Sequence, residues 1–443
     1  MKKIRIGSGA GYGGDRLEPA LTLMEQGKLD YIGFECLAER TIALAQKEKK
    51  NHSEKGYNPL LEYRMEKVLP LAHKYKVKVI TNMGAANPEA ALEAICSIAD
   101  RLNIKGMKVA AVLGDDVLDY VKNHRSLKII ETGKALSTIE DRIISANAYL
   151  GADGIVQALQ NDADIVITGR VSDPALFLAP MIHEFNWEMD DFDKLGKGTL
   201  IGHLLECAGQ VCGGYFADLR RKVVPDLWDI GFPFIEVDET GEGFISKVKE
   251  TGGIINTATC TEQLLYEIHD PSSYLTPDCI ADFSNVKFEA IAKDKVKFNK
   301  ASGKPPTDTY KVSVGYHNGY YGEGQISYGG MDCLERAELA SEIVKKRLKI
   351  FDFQDLSIDF IGMNSISPLE IEAFNVPEVR LRVSGRTETR EQAQQIGREL
   401  ETLYTNGPAG GGGATQTTDE VISVVSVLVP KTEIKTKIIY SYT

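Results

Sequence analysis

Residues 4–15, Ile-Arg-Ile-Gly-Ser-Gly-Ala-Gly-Tyr-Gly-Gly-Asp, constrain this chain more than any other stretch. Residues 3–6 alternate polar and apolar side chains like the end of a strand, five glycines fall within the eight positions 7–14, and residues 16–26 carry a helical pattern. A strand that enters a helix through glycines leaves main-chain N–H groups facing open space, beside the positive end of the helix dipole. An anion is expected there. The dinucleotide spacing Gly-x-Gly-x-x-Gly fits in one register, Gly9, Gly11 and Gly14, with Glu35 at the end of the next strand-like run as the ribose-binding acid. Three readings of the bend stay open: a nucleotide site, a cradle for an anion or substrate carboxylate, and a tight turn.

Beyond the bend, helical patterns at 38–49, 59–75, 89–102, 152–160 and 174–185 alternate with strand-like runs at 77–81, 107–113, 143–148 and 164–168. Asn87 and Pro88 read as the cap and first residue of the third of these helices. This alternation predicts an α/β fold, a mostly parallel sheet with helices on both faces, plus a β-rich insertion and a small C-terminal α+β layer. The expected domains are an α/β domain carrying the bend (1–224), a β-rich elaboration over the sheet edge (225–348) and a C-terminal α+β region (349–443). In the last, the glycines of 407–414 read as a mobile loop or a second backbone approach to a ligand or neighbour. The apolar run 421–428 is expected to pair across a homo-oligomer or to be covered.

Open α/β sheets bind ligands at the carboxyl ends of their strands. There the pattern collects Ser8, Gly9, Gly11, Tyr12, Gly13 and Gly14, then Glu35, Asn82, Gly84, Asp115, Asn147, Thr168, Gly169, Arg170 and Asp173. Ser8, Tyr12 and Asn82 offer donors, Arg170 can clamp a carboxylate, and Glu35, Asp115 or Asp173 can serve as acid or base. Such a set suffices for proton abstraction beside a carbonyl, or for adding and removing water, without a cofactor. His203 and Glu206 stand three apart on one helical face, a spacing open to a metal or to an ordinary hydrogen-bonded pair; with no second such pair nearby, no metal is expected. Seven cysteines without a Cys-x-x-Cys pair read as reduced thiols, and Cys36 as structural rather than nucleophilic.

With 51 basic against 63 acidic residues the chain carries a net charge of −12, which argues against nucleic-acid and anionic-membrane partners. No apolar leader and no run of about eighteen apolar residues occurs, so a cytoplasmic protein is expected.

Several long blocks carry a resemblance. Gly-Ser-Gly-Ala-Gly-Tyr-Gly-Gly-Asp-Arg (7–16), Thr-Asn-Met-Gly-Ala-Ala-Asn (81–87), Asn-Ala-Tyr-Leu-Gly-Ala-Asp (147–153), Thr-Gly-Arg-Val-Ser-Asp-Pro (168–174), Gly-Gly-Tyr-Phe-Ala-Asp (213–218) and Gly-Pro-Ala-Gly-Gly-Gly-Gly (407–413) are similar to blocks of the acyclic terpene utilisation AtuA family. The resemblance spans nearly the whole chain. It implies a place in the breakdown of branched terpenols, which runs through acyl-CoA intermediates. Together with the strand-end residues it points to an enzyme without redox cofactor that acts on a small carboxylate or acyl-CoA, of hydro-lyase or isomerase type. Two alternatives stay open: a non-catalytic ligand-binding subunit that assembles with a partner protein of the same pathway, and an NAD(P)-dependent oxidoreductase.

Overall fold

The computed structural model describes residues 1–351, 353, 356–367 and 376–443. They form two units, residues 1–315 with 424–443, and residues 316–423. The strands in chain order are β1 (Lys3–Ala10), β2 (Tyr31–Phe34), β3 (Lys78–Thr81), β4 (Lys108–Leu113), β5 (Ile143–Ala148), β6 (Ile165–Thr168), β7 (Pro233–Asp238), β8 (Gly243–Lys247), β9 (Tyr274–Leu275), β10 (Ile280–Asp282), β11 (Lys287–Ala292), β12 (Lys295–Asn299), β13 (Ser302–Lys304), β14 (Thr309–Gly329), β15 (Leu356–Ile361), β16 (Glu378–Thr387), β17 (Gly411–Pro430) and β18 (Lys437–Tyr442).

The first unit is organised by a ten-stranded sheet in the order β11-β12-β8-β7-β1-β2-β3-β6-β4-β18. Its centre, β1-β2-β3-β6-β4, is parallel. Every residue of β2 and of β6 is buried, so both sheet faces are covered there, as parallel strands require. The flanks differ from the mostly parallel expectation. β7, β8, β12 and β11 continue the sheet as an antiparallel run beside β1, and β18 closes the other edge antiparallel to β4. The physical reason is connection length: the links between β7 and β8 and between β11 and β12 are too short for a parallel crossover. β5, read as one of the parallel strands, pairs with β14 instead. A small sheet, β13-β10-β9, completes this unit.

The second unit is the sheet β15-β16-β14-β17, on which helices Cys333–Ile350 and Arg390–Glu401 pack through Ala337, Val344, Ile396 and Leu400. Thr389 and Gln392 cap the second helix reciprocally. Gly411–Gly413, expected in a mobile loop or at a second backbone approach to a ligand or neighbour, open strand β17. A side chain at Gly411 would stand 3.0 Å from Ile326, so this glycine lets the strand lie close to its neighbour, whereas one at Gly412 would meet nothing within 4 Å. Of the apolar run after it, Ile422, Val425 and Val427 are buried. All seven cysteines are unbridged, and among the described residues no helix is long and apolar enough to cross a membrane.

A candidate active site at the carboxyl ends of the parallel strands

Strand β1 extends to Ala10, four residues past the alternating stretch, which leaves 11–14 as the bend itself. Ser8 and Gly9 are therefore strand residues. The Ser8 hydroxyl is fully buried and donates to the Ala10 carbonyl at 3.4 Å, while a Cβ on Gly9 would stand 2.5 Å from the Phe34 ring. At Gly11 the chain runs against the main chain of Cys207, where a Cβ would come within 2.3 Å of the Cys207 carbonyl carbon. Only glycine fits. Asp15 closes the bend, one carboxylate oxygen accepting the Gly11 N–H at 3.1 Å and the other the Arg16 N–H at 2.9 Å. Part of the expected anion is thus the chain's own carboxylate. The N–H groups of Gly13 and Gly14 have no acceptor among the described residues, and both glycines line a hollow.

That hollow has a volume of about 520 Å³. Gly11, Tyr12, Gly13 and Gly14 form one wall; Cys36, Leu37, Ala38, Leu44, Ala45, Pro59 and Leu60 make much of the remainder carbon. Glu35 enters it from the carboxyl end of β2, its N–H still donating to Ala10 in strand fashion at 3.1 Å. One Glu35 carboxyl oxygen accepts from Asn82 Nδ2 at 2.9 Å and from the Leu37 N–H at 2.9 Å. Burial, reinforced by the negative charge of Asp173, pushes the Glu35 carboxyl up to about 8, although Arg170 and the two donors pull the other way. A carboxyl held well above the usual carboxylate range thus lines a largely apolar cavity.

The neighbouring strand ends fix that acid in place. Asn82, just past β3, also accepts the Cys36 N–H through Oδ1 at 2.7 Å, so one buried amide orients both Glu35 and the chain after it. Arg170, just past β6, is 1% exposed. Its Nε donates to the Val171 carbonyl at 2.8 Å, its Nη1 to the Leu37 carbonyl at 2.5 Å, and its Nη2 pairs with Asp173, while the guanidinium lies 4.6 Å from the Tyr149 ring centroid. The fork read as a clamp for a ligand carboxylate is spent on internal acceptors. Asp115 accepts the Arg170 N–H and Asn147 Nδ2, each at 2.9 Å, and burial pushes its carboxyl up to about 6. A Cβ on Gly169 would meet an Asp115 oxygen at 2.5 Å, and one on Gly84 the Thr168 carbonyl at 2.5 Å. Of the residues singled out in the sequence, Glu35, Gly11, Tyr12, Gly13 and Gly14 line the hollow. Asn82, Gly84, Asp115, Asn147, Thr168, Gly169, Arg170 and Asp173 do not; most of them form the bonded layer that holds Glu35 and Leu37.

Sequence reasoning passed over Arg64. It is 1% exposed, with Nη1 2.8 Å from Cys36 Sγ and Nη2 donating to the Asp15 carbonyl at 2.9 Å, and so ties the bend to the strand end. The signal was present: Arg64 interrupts the buried stripe Leu61, Met65, Val68, Leu69 and Ala72 of helix Leu61–Tyr75, a place where an arginine needs a reason. Cys36 lines the hollow, but burial raises its thiol well above the usual range, which suits a structural role. The His203–Glu206 pair is a hydrogen bond, Nδ1 to Oε1 at 2.6 Å, with Nε2 engaged by the Leu264 carbonyl at 3.2 Å. No group of three metal-holding side chains occurs among the described residues.

The family model for the acyclic terpene utilisation family protein AtuA matches residues 4–440, from β1 to within β18. The chain belongs to the AtuA family. A search of curated proteins and a search of solved structures each gave no match. Membership makes this a terpene-utilisation catabolic protein. The match takes in every strand end of the hollow, so in this AtuA-family chain the bend, Glu35 and Asn82 are parts of one matched region. Replacing Asn82 by Leu removes a donor from Glu35 and strands the Cys36 N–H. Urea unfolding is expected to show a loss of about 1–3 kcal/mol, and the Glu35 carboxyl is expected to titrate at still higher pH, since the Asn82 bond lowers it.

Proposed function

We propose that this AtuA-family chain is an acid–base enzyme of hydro-lyase or isomerase type, with Glu35 as the proton-transferring group and the branched apolar part of a carboxylate or acyl-CoA in the hollow. The observation that carries the reading is a carboxyl raised to about 8 by burial on a residue that lines a cavity whose walls are largely carbon. Near pH 7 such a group holds its proton. It can donate that proton to a departing hydroxyl or to a double bond, and the resulting carboxylate can recover one in the reverse direction. The Gly13 and Gly14 N–H groups supply donors for the substrate's carbonyl or carboxylate oxygen. The chemistry calls on no redox cofactor.

The dinucleotide alternative fits less well, because Asp15 already holds the Gly11 N–H and β1 lies between β2 and an antiparallel strand rather than at the centre of a parallel sheet. The test is turnover of a panel of branched unsaturated and β-hydroxy acids and their CoA esters, followed over pH. Conversion that holds at neutral pH and falls as pH rises through about 8 is expected for Glu35 as the acid. No conversion of any panel member, together with ligand-induced stabilisation, would instead favour a binding subunit.

A further inference from the structure

A second hollow, of about 870 Å³, opens where the turn after helix Glu18–Gln26, the loop after β8 and the tip of the β11–β12 hairpin meet. Its position opposes that of Glu35, since Arg5 and Lys28 flank the amino ends of β1 and β2 whereas the bend follows the carboxyl end of β1. The charge here runs against the rest of the molecule. In a chain of net charge −12, the lining holds Arg5, Lys28, Lys247, Lys249, Lys293 and Lys295 against Glu250 and Asp294.

Two of the cations are already matched. Arg5 pairs with Glu236 at 2.9 Å, and the buried Lys247 donates to the Thr251 carbonyl at 2.7 Å with Asp294 at 3.6 Å. Lys28, Lys249 and Lys293 are exposed and have no carboxylate partner among the described residues, and Lys295 rests its ammonium 3.6 Å from the Phe244 ring centroid. Each of the three turns places its lysine on or beside a non-glycine residue in the left-handed region, with φ of 53° at Lys28, 63° at Glu250 and 51° at Asp294. At Lys28 glycine would relieve the backbone, yet the chain carries a cation. Lysines gathered in a concave site repel one another unless an anion joins them, and a low-dielectric hollow concentrates their field.

We propose that this hollow binds a multiply charged, phosphate-bearing small molecule at a site separate from the Glu35 cavity. The phosphates would be held by Lys28, Lys249, Lys293 and Lys295. Calorimetry and thermal shift with sodium tripolyphosphate and with ATP, both at low salt without divalent cations, test it on the full chain. Saturable binding of either probe is expected, weakening as salt rises and at least tenfold weaker in the double variant Lys249→Glu/Lys293→Glu. A control with the same charge change at exposed positions of the segment between β4 and β5, on the far side of the sheet from β8, Lys122→Glu/Lys134→Glu, is expected to bind as wild type. Equal binding of the two probes assigns recognition to the phosphates, and tighter ATP adds a contact to its ring. Absence of binding at millimolar concentration, equal weakening in the control, or binding of polyglutamate but of neither phosphate probe overturns the proposal. Glu35→Gln is expected to leave the affinity unchanged, which keeps this test independent of the proposed reaction.

Discussion

Glu35→Gln is expected to lower turnover by about 10²–10⁴-fold and, at alkaline pH, to stabilise the protein. The loss of activity follows from its place: among the hollow's lining groups it alone joins a carboxyl oxygen anchored by Asn82 and Leu37 to a raised pKa. Removing a positioned general acid costs typically about 10²–10⁴-fold. The stability effect has a definite sign. The folded Glu35 titrates near 8 and the unfolded one near its ordinary 4.5, so below 4.5 both states hold the proton and nothing is lost. Between the two values the unfolded chain releases its proton first, and folding stability falls as pH rises, by up to about 1.4 kcal/mol per unit. Glutamine copies the protonated form and lacks this slope. Variant and wild type are expected to melt alike near pH 4.5, with the variant's advantage growing to pH 8 and level above it. A difference that stays flat across that range would show that Glu35 is ionised in the folded protein.

The parallel centre of the sheet was legible because β2 and β6 are short, apolar and closely bounded, and because Asn87 and Pro88 mark a helix start by their chemistry. The convergence of Glu35, Asn82 and Arg170 followed from topology alone. What pattern could not reveal is which neighbour consumes which donor. Arg170 has the composition of a ligand clamp, but the carbonyls of Leu37 and Val171 that claim it lie on loops whose course depends on tertiary packing. Ser8 and Gly9 were misplaced for a related reason: glycines suggest a bend, yet Gly9 is required in the strand because Phe34 occupies the space of its side chain. The apolar lining from Leu44 and Ala45 of helix Glu39–Asn51, and from Leu60 just before helix Leu61–Tyr75, lies on segments whose pattern shows a helix but not the cavity beside it.

Arg170→Met is expected to cost about 2–6 kcal/mol, from about 1–3 kcal/mol for each of the two buried carbonyls it leaves without a donor, Asp173 being only part-buried. Methionine keeps the length of the stem but leaves the carbonyls of Leu37 and Val171 without donors and Asp173 without its cation. Arg170 also holds the Glu35 carboxyl down, so its loss is expected to move the Glu35 titration further up and carry the alkaline limb of any rate profile with it. Lysine restores charge but not the forked geometry, and Arg170→Lys should recover the titration better than the stability. Adding Asp173→Asn to Arg170→Met removes the stranded charge and should regain part of the loss, a coupling that a double-mutant cycle reads directly. If Arg170 instead faced the ligand, Arg170→Met would unfold within about 1 kcal/mol of wild type, and the double variant would regain nothing. The two outcomes separate an arginine that shapes the acid's surroundings from one that grips a substrate, and the internal bonds of its guanidinium favour the first.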